Sequence, residues 1–161
     1  MLYQKYLTKE QAYQKLKHYC GYQHRCHSEV KEKAYSLGLR KTEVEELTSK
    51  LIEEDYLNEE RFAKLFAGGK FRIKQWGRLK IKNELQQKRV SDYCIRKALG
   101  EIQEDEYLIS LNKLAKKKWN SIKGTGTNHF VKMTKTRNFL LQRGFESGLI
   151  SEAIKNIGAK N

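Results

Sequence analysis

A basic and aromatic loop near the middle of the chain carries the side chains best suited to bind a charged partner. Its cations are Lys70, Arg72, Lys74, Arg78 and Lys82, and its aromatic residues are Phe71 and Trp76. Cations suit phosphates, and aromatic faces can stack on unpaired bases. We therefore expect the cations to bind a phosphate-rich partner. For the aromatic residues we favour a small core, shared with Ile73, because a small unit needs large apolar anchors.

A second basic group lies further along the chain and includes Trp119. Its cations are Lys113, Lys116, Lys117, Lys118, Lys132, Lys135 and Arg137. We expect this group to form a binding site that matches the first. The polar segment 124–128 within it predicts a flexible connection. A phosphate-cradling loop is disfavoured there, because Walker spacing and its Lys-Ser/Thr end are missing.

A cluster of potential metal ligands lies near the start of the chain: His18, Cys20, His24, Cys26 and His27. Thiolate and imidazole are the usual zinc ligands. The spacing is poor for zinc, however, because five residues separate Cys20 from Cys26 and no second ligand pair follows. We expect a helix end and a turn without metal, in which both cysteines pack as small apolar residues.

Acidic side chains form three groups, within residues 43–46, 53–55 and 101–106. Such groups can serve metal or acid–base chemistry, but these are runs of like charge near predicted helix ends, where acids favour the positive end of a helix. Cys94 lies beside the apolar position Ile95, and the sequence offers no base positioned to activate it. We expect no catalytic residue and no cofactor.

Charge is distributed unevenly along the chain, whose formal net charge is +14. Residues 1–60 hold ten Lys and Arg against eleven Asp and Glu, whereas residues 61–100 hold twelve against two. Residues 101–110 hold four acids and no base, and residues 111–161 hold eleven bases against two acids. Two basic modules therefore follow a nearly neutral one. Basic fields of this kind concentrate polyanions by counterion release.

Apolar residues recur in the same order three times, which predicts an internal repeat. First helices carry Ala12/Leu16, Phe62/Phe66 and Leu111/Ala115; second helices carry Val30/Ala34, Ile81/Leu85 and Thr136/Leu140; third helices carry Val44/Leu47/Leu51, Ile95/Ala98/Ile102 and Ile150/Ala153/Ile157. Each second helix is followed by a similar pair of residues, at Gly38-Leu39, Arg89-Val90 and Gly144-Phe145. Glycine there takes the left-handed cap conformation, and the next apolar residue folds back onto the helix.

The repeat predicts an all-α fold of three tandem three-helix units, at residues 8–56, 58–106 and 107–158. Thr8 and Gln11 have capping-box spacing, so the first helix is predicted to start at Thr8. The absence of proline favours helical connections. Because each unit has too few apolar residues for its own core, neighbouring units are expected to share faces in an elongated, gently curved rod.

An ordered series of residues between Asn58 and Leu99 carries a family resemblance. The series comprises Arg61, Phe62, Ala63, Phe66, Lys70, Arg72, Lys74, Gly77, Ile81, Glu84, Leu85, Lys88 and Val90. It resembles the RecX family of bacterial recombinase regulators, sharply here and more loosely over residues 10–157. Two features depart from the family pattern. Arg89 stands where the family usually has glycine, and residues 21–26 of the first repeat lack a basic loop.

The resemblance implies a function in recombination and DNA repair. Proteins of this family bind the filament that RecA forms on single-stranded DNA, lie in its groove, and suppress ATP hydrolysis and strand exchange. We therefore expect a negative modulator of RecA, with the RecA filament and single-stranded DNA as partners, duplex DNA as a weaker one, and the two basic groups as its site. The alternative is a helix-turn-helix transcriptional regulator that uses residues 76–99. Its second helix offers few base-reading side chains, namely Asp92, Arg96 and Lys97.

The sequence also predicts where the protein works. No apolar run approaches the roughly 20 residues that a membrane span requires. Residues 1–5 lack the apolar core of a signal peptide. We expect a monomeric, cytoplasmic protein.

Overall fold

The computed structural model describes residues 7–124 and 126–159, and these residues form nine α-helices without a β-strand. In chain order the helices are α1 (Lys9–Tyr22), α2 (His27–Ser36), α3 (Lys41–Glu53), α4 (Glu59–Arg72), α5 (Arg78–Gln87), α6 (Asp92–Gly100), α7 (Glu104–Ser121), α8 (His129–Gln142) and α9 (Ser147–Ala159). The predicted all-α fold is confirmed for this part of the chain. None of these helices is both long enough and apolar enough to span a membrane. Residues 1–5, the subject of the signal-peptide prediction, lie outside the described residues.

Helix α1 begins with the predicted capping box. The Thr8 hydroxyl accepts a hydrogen bond from the backbone N–H of Gln11 at 3.1 Å, and the Gln11 side chain accepts one from the N–H of Thr8 at 3.0 Å. These bonds satisfy donors that the first turn of a helix leaves unpaired. The side chains of Asn58 and Asn128 cap α4 and α8 with one bond each, both at 2.9 Å. The prediction at Thr8 is confirmed.

The second helix of each predicted repeat, α2, α5 or α8, ends in the same left-handed turn. Gly38, Arg89 and Gly144 have φ angles of 88°, 60° and 91°. The N–H of the following apolar residue bonds back to the helix each time: Leu39 to the Ala34 carbonyl at 3.4 Å, Val90 to Leu85 at 3.1 Å and Phe145 to Leu140 at 3.2 Å. All three apolar residues are buried. The recurrent stop is confirmed, and Arg89 adopts it although it lacks the conformational freedom of glycine.

The apolar positions that define the repeat form the interior. The predicted second-helix pairs are each 0% exposed: Val30/Ala34, Ile81/Leu85 and Thr136/Leu140. The first- and third-helix positions are buried as well, apart from Phe66 and Ile157, which are half-buried. Helix α6 ends at Gly100, so the predicted helical position Ile102 lies in the following turn, where it is still buried.

The chain divides into two compact units. Unit 1 contains the described residues up to Leu65 together with Leu85–Lys97, and within it α1, α2 and α3 pack on one another. Unit 2 contains Phe66–Glu84 and the described residues from Ala98 onward, and within it α7, α8 and α9 pack on one another. Helices α4, α5 and α6 each contribute residues to both units. The repeat boundaries at residues 8–56, 58–106 and 107–158 therefore stay a prediction.

Candidate functional site

The predicted basic loop is a tight junction between the end of α4 and the start of α5. Lys70 and Arg72 lie in the last turn of α4, and only residues 73–77 separate this helix from α5. Gln75 has a φ angle of 57°, and the N–H of Trp76 donates to the Lys70 carbonyl oxygen at 3.1 Å. The backbone is therefore helical on both sides of a closed turn, and helical residues carry most of the predicted cations.

Arg78, at the start of α5, is directed into unit 2. Its guanidinium donates to Glu146 at 2.8 Å, forms a second ion pair with Glu104, and lies 3.8 Å from the centre of the Tyr107 ring. Burial by itself would lower the pKa of Arg78, but the hydrogen bonds to Glu146 and Glu104 outweigh burial, and the pKa is raised. This geometry does not support the prediction that Arg78 binds a phosphate, because two carboxylates already neutralise its charge.

Tyr107 is the centre of this polar network. Its side chain is 0% exposed, its hydroxyl donates to the Glu146 carboxylate, and it accepts a bond from the backbone N–H of Arg78 at 3.0 Å. The ring stacks on Phe71 at a centroid distance of 5.8 Å and tilts against Phe145 at 5.3 Å. Burial and the hydrogen bond to Glu146 raise the pKa of Tyr107. The network positions the α4–α5 junction against α7 and the start of α9.

Two glycines bring the start of α5 against the end of α8. The backbone N–H groups of Gly77 and Leu79 donate to the carbonyl oxygens of Arg143 at 2.7 Å and Gly144 at 3.0 Å. The amides at the start of a helix have no partner within it, and here the neighbouring helix end satisfies them. A Cβ atom on Gly77 would collide with the backbone of Gly144. Glycine at position 77, one of the residues of the family series, is therefore required by this close approach.

Seven of the twelve predicted cations are exposed: Arg72, Lys74, Lys82, Lys113, Lys116, Lys117 and Lys135. Within the part of the chain that the structure describes, no carboxylate forms an ion pair with any of them. Lys113, Lys116 and Lys117 lie on one face of α7, because residues three and four positions apart are neighbours on a helix surface. These seven side chains are available to a partner.

The four other cations are half-buried and contact neighbouring side chains. Lys70 lies 4.8 Å from the Trp76 ring centre, Lys118 lies 5.2 Å from Phe139, and Lys132 lies 5.6 Å from Trp119. Arg137 donates to the Ser151 hydroxyl at 3.1 Å. A cation over an aromatic face is held by the ring quadrupole. Their charges lie near the surface, but their side chains also pack within unit 2.

The aromatic side chains serve mainly as core residues. Phe71 and Trp119 are 5% and 4% exposed, which confirms the interpretation favoured for Phe71 from the sequence. Trp76 is half-buried, with Lys70 on its ring and Lys80 4.4 Å from the ring centre. Ile73 was grouped with this core but is 79% exposed, because it lies in the turn after α4. Phe71 and Trp119 therefore offer little ring surface on which a base could stack.

A shallow depression of about 310 Å³ brings one cation from each basic group together. Phe71 and Arg72 from the end of α4 line one side, and Glu106, Ile109 and Lys113 from α7 line the other. All these residues belong to unit 2. Ile109 is 65% exposed, although the rest of this α7 face is charged or polar.

The cysteines of the Cys/His cluster belong to the interior of unit 1. Cys20 and Cys26 are 9% and 0% exposed, and burial raises the pKa of both thiols. His18 and His24 are exposed instead of facing the thiols. The prediction that both cysteines pack as small apolar residues is confirmed. No group of three or more metal-ligating side chains is assembled among the described residues.

The sequence did not identify Tyr107 and Glu146 as partners of Arg78. One signal was present, because Glu146 is one of only two acids among residues 111–161. An isolated acid in a strongly basic segment, directly after a buried aromatic residue, is a candidate for a specific ion pair. Its partner could not be predicted, since Glu146 lies 68 positions after Arg78.

The fold and this surface define a class of protein: an all-α protein of three-helix elements that presents cations from a rigid, hydrogen-bonded scaffold. Residues 58–99 match the family description "RecX, second three-helix domain", and residues 104–154 match "RecX, third three-helix domain". Together these matches cover more than half of the chain. The chain belongs to the RecX family, and the resemblance found in the sequence is confirmed.

Individual relatives agree with this assignment. Regulatory protein RecX of Oceanobacillus iheyensis is 26% identical over 150 residues, which cover 93% of the chain and 54% of the relative. Regulatory protein RecX of Clostridium acetobutylicum is 30% identical over 137 residues, which cover 81% and 63%. The chain thus spans about half to nearly two thirds of the length of these relatives. The crystal structure of RecX from Lactobacillus salivarius shares the fold, with a TM-score of 0.85 at 24% identity, covering 94% of this chain and 97% of that one.

Proposed function

We propose that the protein is a negative modulator of RecA recombinase. It binds the filament that RecA forms on single-stranded DNA, lies in the filament groove, and inhibits ATP hydrolysis and strand exchange. The observation that carries this proposal is the match of residues 58–99 and 104–154 to two RecX domains. The curated relatives are named regulatory proteins, so we assign the chain a binding role and no catalytic step.

The exposed cations of unit 2 supply the physical basis for binding. Seven of the twelve predicted site cations are exposed on this unit and have no carboxylate partner among the described residues. Each cation that meets a phosphate releases a condensed counterion, so binding strengthens as salt falls. Several weak contacts on a repetitive filament act together through effective concentration. The protein therefore needs no deep pocket to bind tightly.

The test uses three triple variants of equal charge. Arg72→Ala with Lys74→Ala and Lys82→Ala removes exposed cations near the α4–α5 junction, and Lys113→Ala with Lys116→Ala and Lys117→Ala removes those of α7. Lys15→Ala with Arg40→Ala and Lys41→Ala is the control, since it removes three exposed cations from unit 1. Arg78 stays unchanged because it stabilises the scaffold. Inhibition of the DNA-dependent ATPase of RecA is measured over a range of salt concentrations.

Both unit 2 variants should lose inhibition, and the control should keep it. If three phosphate contacts on a single strand are lost, the slope of log affinity against log salt falls by about 2. A wild-type protein that binds the filament without slowing the ATPase or strand exchange would refute the proposed function. Sequence-specific protection of duplex DNA by the protein alone would instead favour the helix-turn-helix regulator.

A further inference from the structure

We propose that the depression between Arg72 and Lys113 is a protein-docking site that takes an acidic and aliphatic segment of the partner. Its occupant is a short stretch of polypeptide with an aliphatic side chain next to a carboxylate. The aliphatic group packs on Ile109, and the carboxylate lies between the two cations. This inference rests on the proposed function in one respect, because it takes the protein component of the RecA filament as the source of the segment.

The lining of the depression includes an aliphatic side chain in a place where α7 should be polar. Exposed positions of a surface helix normally carry polar residues, and here Lys113, Lys116 and Lys117 follow that pattern. Ile109 lies one turn before Lys113 on the same face and is 65% exposed. At the centre of an interface, apolar contact is framed by a polar rim, and Ile109 among these charged side chains fits that arrangement.

Charge complementarity selects an acidic occupant. Arg72 and Lys113 line the depression and have no ion-pair partner among the described residues. Gly68 leaves space for the Arg72 guanidinium to lie over α4, because a Cβ atom at position 68 would collide with it. A guanidinium and an ammonium that line the same depression suit a carboxylate.

The same geometry disfavours a nucleic-acid strand as the occupant. Base stacking needs an open ring face, and the Phe71 ring is 5% exposed and stacked on Tyr107. Glu106 also lines the depression, where its carboxylate can accept a backbone N–H from a peptide. A volume of about 310 Å³ accommodates one or two side chains.

The first experiment separates the protein from the DNA of the filament. Ile109→Ser removes the aliphatic side chain from the lining without changing charge, and Phe130→Ser is the control, since Phe130 is 67% exposed on α8 and does not line the depression. Affinities are measured for a bare thymidine oligonucleotide and for the RecA filament on that oligonucleotide. Ile109→Ser should weaken filament binding about tenfold and change bare-strand binding by less than about twofold. Phe130→Ser should leave both affinities unchanged.

A second experiment needs no RecA. The Ile109 methyl resonance is followed by NMR during titration with a synthetic hexapeptide of alternating leucine and glutamate, and with one of alternating serine and glutamate. The leucine peptide should shift this methyl more strongly than the serine peptide does, and Arg72→Gln should reduce the shift where Lys135→Gln does not. Lys135 is the matched control because it is an exposed cation outside the depression.

The outcomes separate the two proposals. A wild-type protein that fails to bind the filament refutes the proposed function, whereas the peptide titration still decides the docking site. Equal loss of filament and bare-strand binding in Ile109→Ser would identify a DNA contact and overturn the docking proposal. Unchanged filament binding in that variant, or a methyl that responds equally to both peptides, would also overturn it.

Discussion

Arg89 shows how a single residue can meet a backbone requirement that glycine meets elsewhere in the chain. Its φ angle of 60° matches the turns at Gly38 and Gly144, at 88° and 91°. The left-handed region disfavours a residue with a Cβ atom by about 1–2 kcal/mol, because Cβ approaches the following carbonyl oxygen. The bond from Val90 to Leu85 at 3.1 Å and the burial of Val90 hold the turn against this strain.

The first prediction follows from that strain. Arg89→Gly should raise the free energy of unfolding by about 0.5–1 kcal/mol, because relief of strain exceeds the extra entropy of glycine in the unfolded chain. Gly38→Ala is the reciprocal control, since its Cβ atom would meet nothing within 4 Å at a φ angle of 88°. It should destabilise the protein by about 1 kcal/mol. Urea unfolding of both variants should show that Arg89→Gly raises the free energy of unfolding and Gly38→Ala lowers it. Changes of the same sign would contradict the role of backbone strain at Arg89.

Thr136 gives the second prediction. Its side chain is 0% exposed and its hydroxyl has no hydrogen-bond partner among the described residues, while Val30 and Ile81 hold the same repeat position. A buried, unpaired polar group costs about 1–3 kcal/mol, so Thr136→Val should stabilise the protein by about 1 kcal/mol. Thr48→Val is the control, because the Thr48 hydroxyl donates to the Val44 carbonyl at 2.6 Å. Only Thr136→Val should raise the midpoint of urea unfolding. If Thr48→Val raised it as well, the cause would be the greater hydrophobicity of valine and not the loss of an unpaired hydroxyl.

Tyr107 predicts how stability depends on alkaline pH. Its pKa is raised in the folded protein from an ordinary value of 10.0, by burial and by the bond to Glu146. The unfolded chain therefore loses this proton first, and the contribution of Tyr107 to stability is present below about pH 10 and falls above it. The slope approaches at most about −1.4 kcal/mol per pH unit. Tyr107→Phe should lose this component, whereas Tyr93→Phe, which removes an exposed hydroxyl, should keep it. Urea unfolding between about pH 9 and 11 measures both slopes.

At the scale of elements, α5 depends on the end of α8. Gly77→Ala should destabilise the protein by about 1–3 kcal/mol, because the added methyl group collides with the backbone of Gly144 and the helix junction must open. Gly69→Ala is the matched control within α4, where the new Cβ atom meets nothing within 4 Å. It should stabilise by about 0.5–1 kcal/mol, as alanine does in a helix interior. Thermal unfolding compares the two, and a tolerated Gly77→Ala would show that the junction is not tightly packed.

The helices could be predicted from the sequence because each depends on local signals. Spacing of apolar residues located the buried pairs, and short-range chemistry located the cap at Thr8 and the stops at Gly38 and Gly144. The bonds between Gly77 and Arg143 could not be predicted, because they join residues 66 positions apart. The sequence identified Arg78 as a cation of the basic loop, but it gave no information about Glu146, which draws Arg78 inward.

At the scale of the molecule, the basic segments found in the sequence supply a set of exposed cations on unit 2. Composition predicted an excess of basic over acidic residues. It did not predict which basic side chains pack within the fold and which are exposed. Arg78, Lys70 and Arg137 serve packing in part, while the three exposed lysines of α7 remain open to a partner. The exposure of the α7 lysines could be predicted from helix periodicity. The contacts of Arg78, Lys70 and Arg137 could be seen only in the folded structure.

The last prediction tests whether these lysines are retained for binding at the expense of stability. Lys113 repels Lys116 and Lys117 at helix spacings of three and four, and like charges so placed destabilise by about 0.2–0.5 kcal/mol per pair. Replacing all three with glutamine should therefore raise the free energy of unfolding by about 0.5–1 kcal/mol at low salt. At about 1 M salt the gain should vanish, because the screening length falls to about 3 Å.

The matched control replaces Lys15, Arg40 and Lys41 with glutamine, within residues 1–60, which hold ten Lys and Arg against eleven Asp and Glu. It should show no salt-dependent gain, because removal of cations there does not relieve an excess of positive charge. Thermal unfolding of both variants at low and high salt is compared with binding to a thymidine oligonucleotide. If the α7 variant alone gains stability and loses binding, these lysines serve binding at the expense of stability. A loss of stability at low salt would instead show that the lysines support the fold of unit 2.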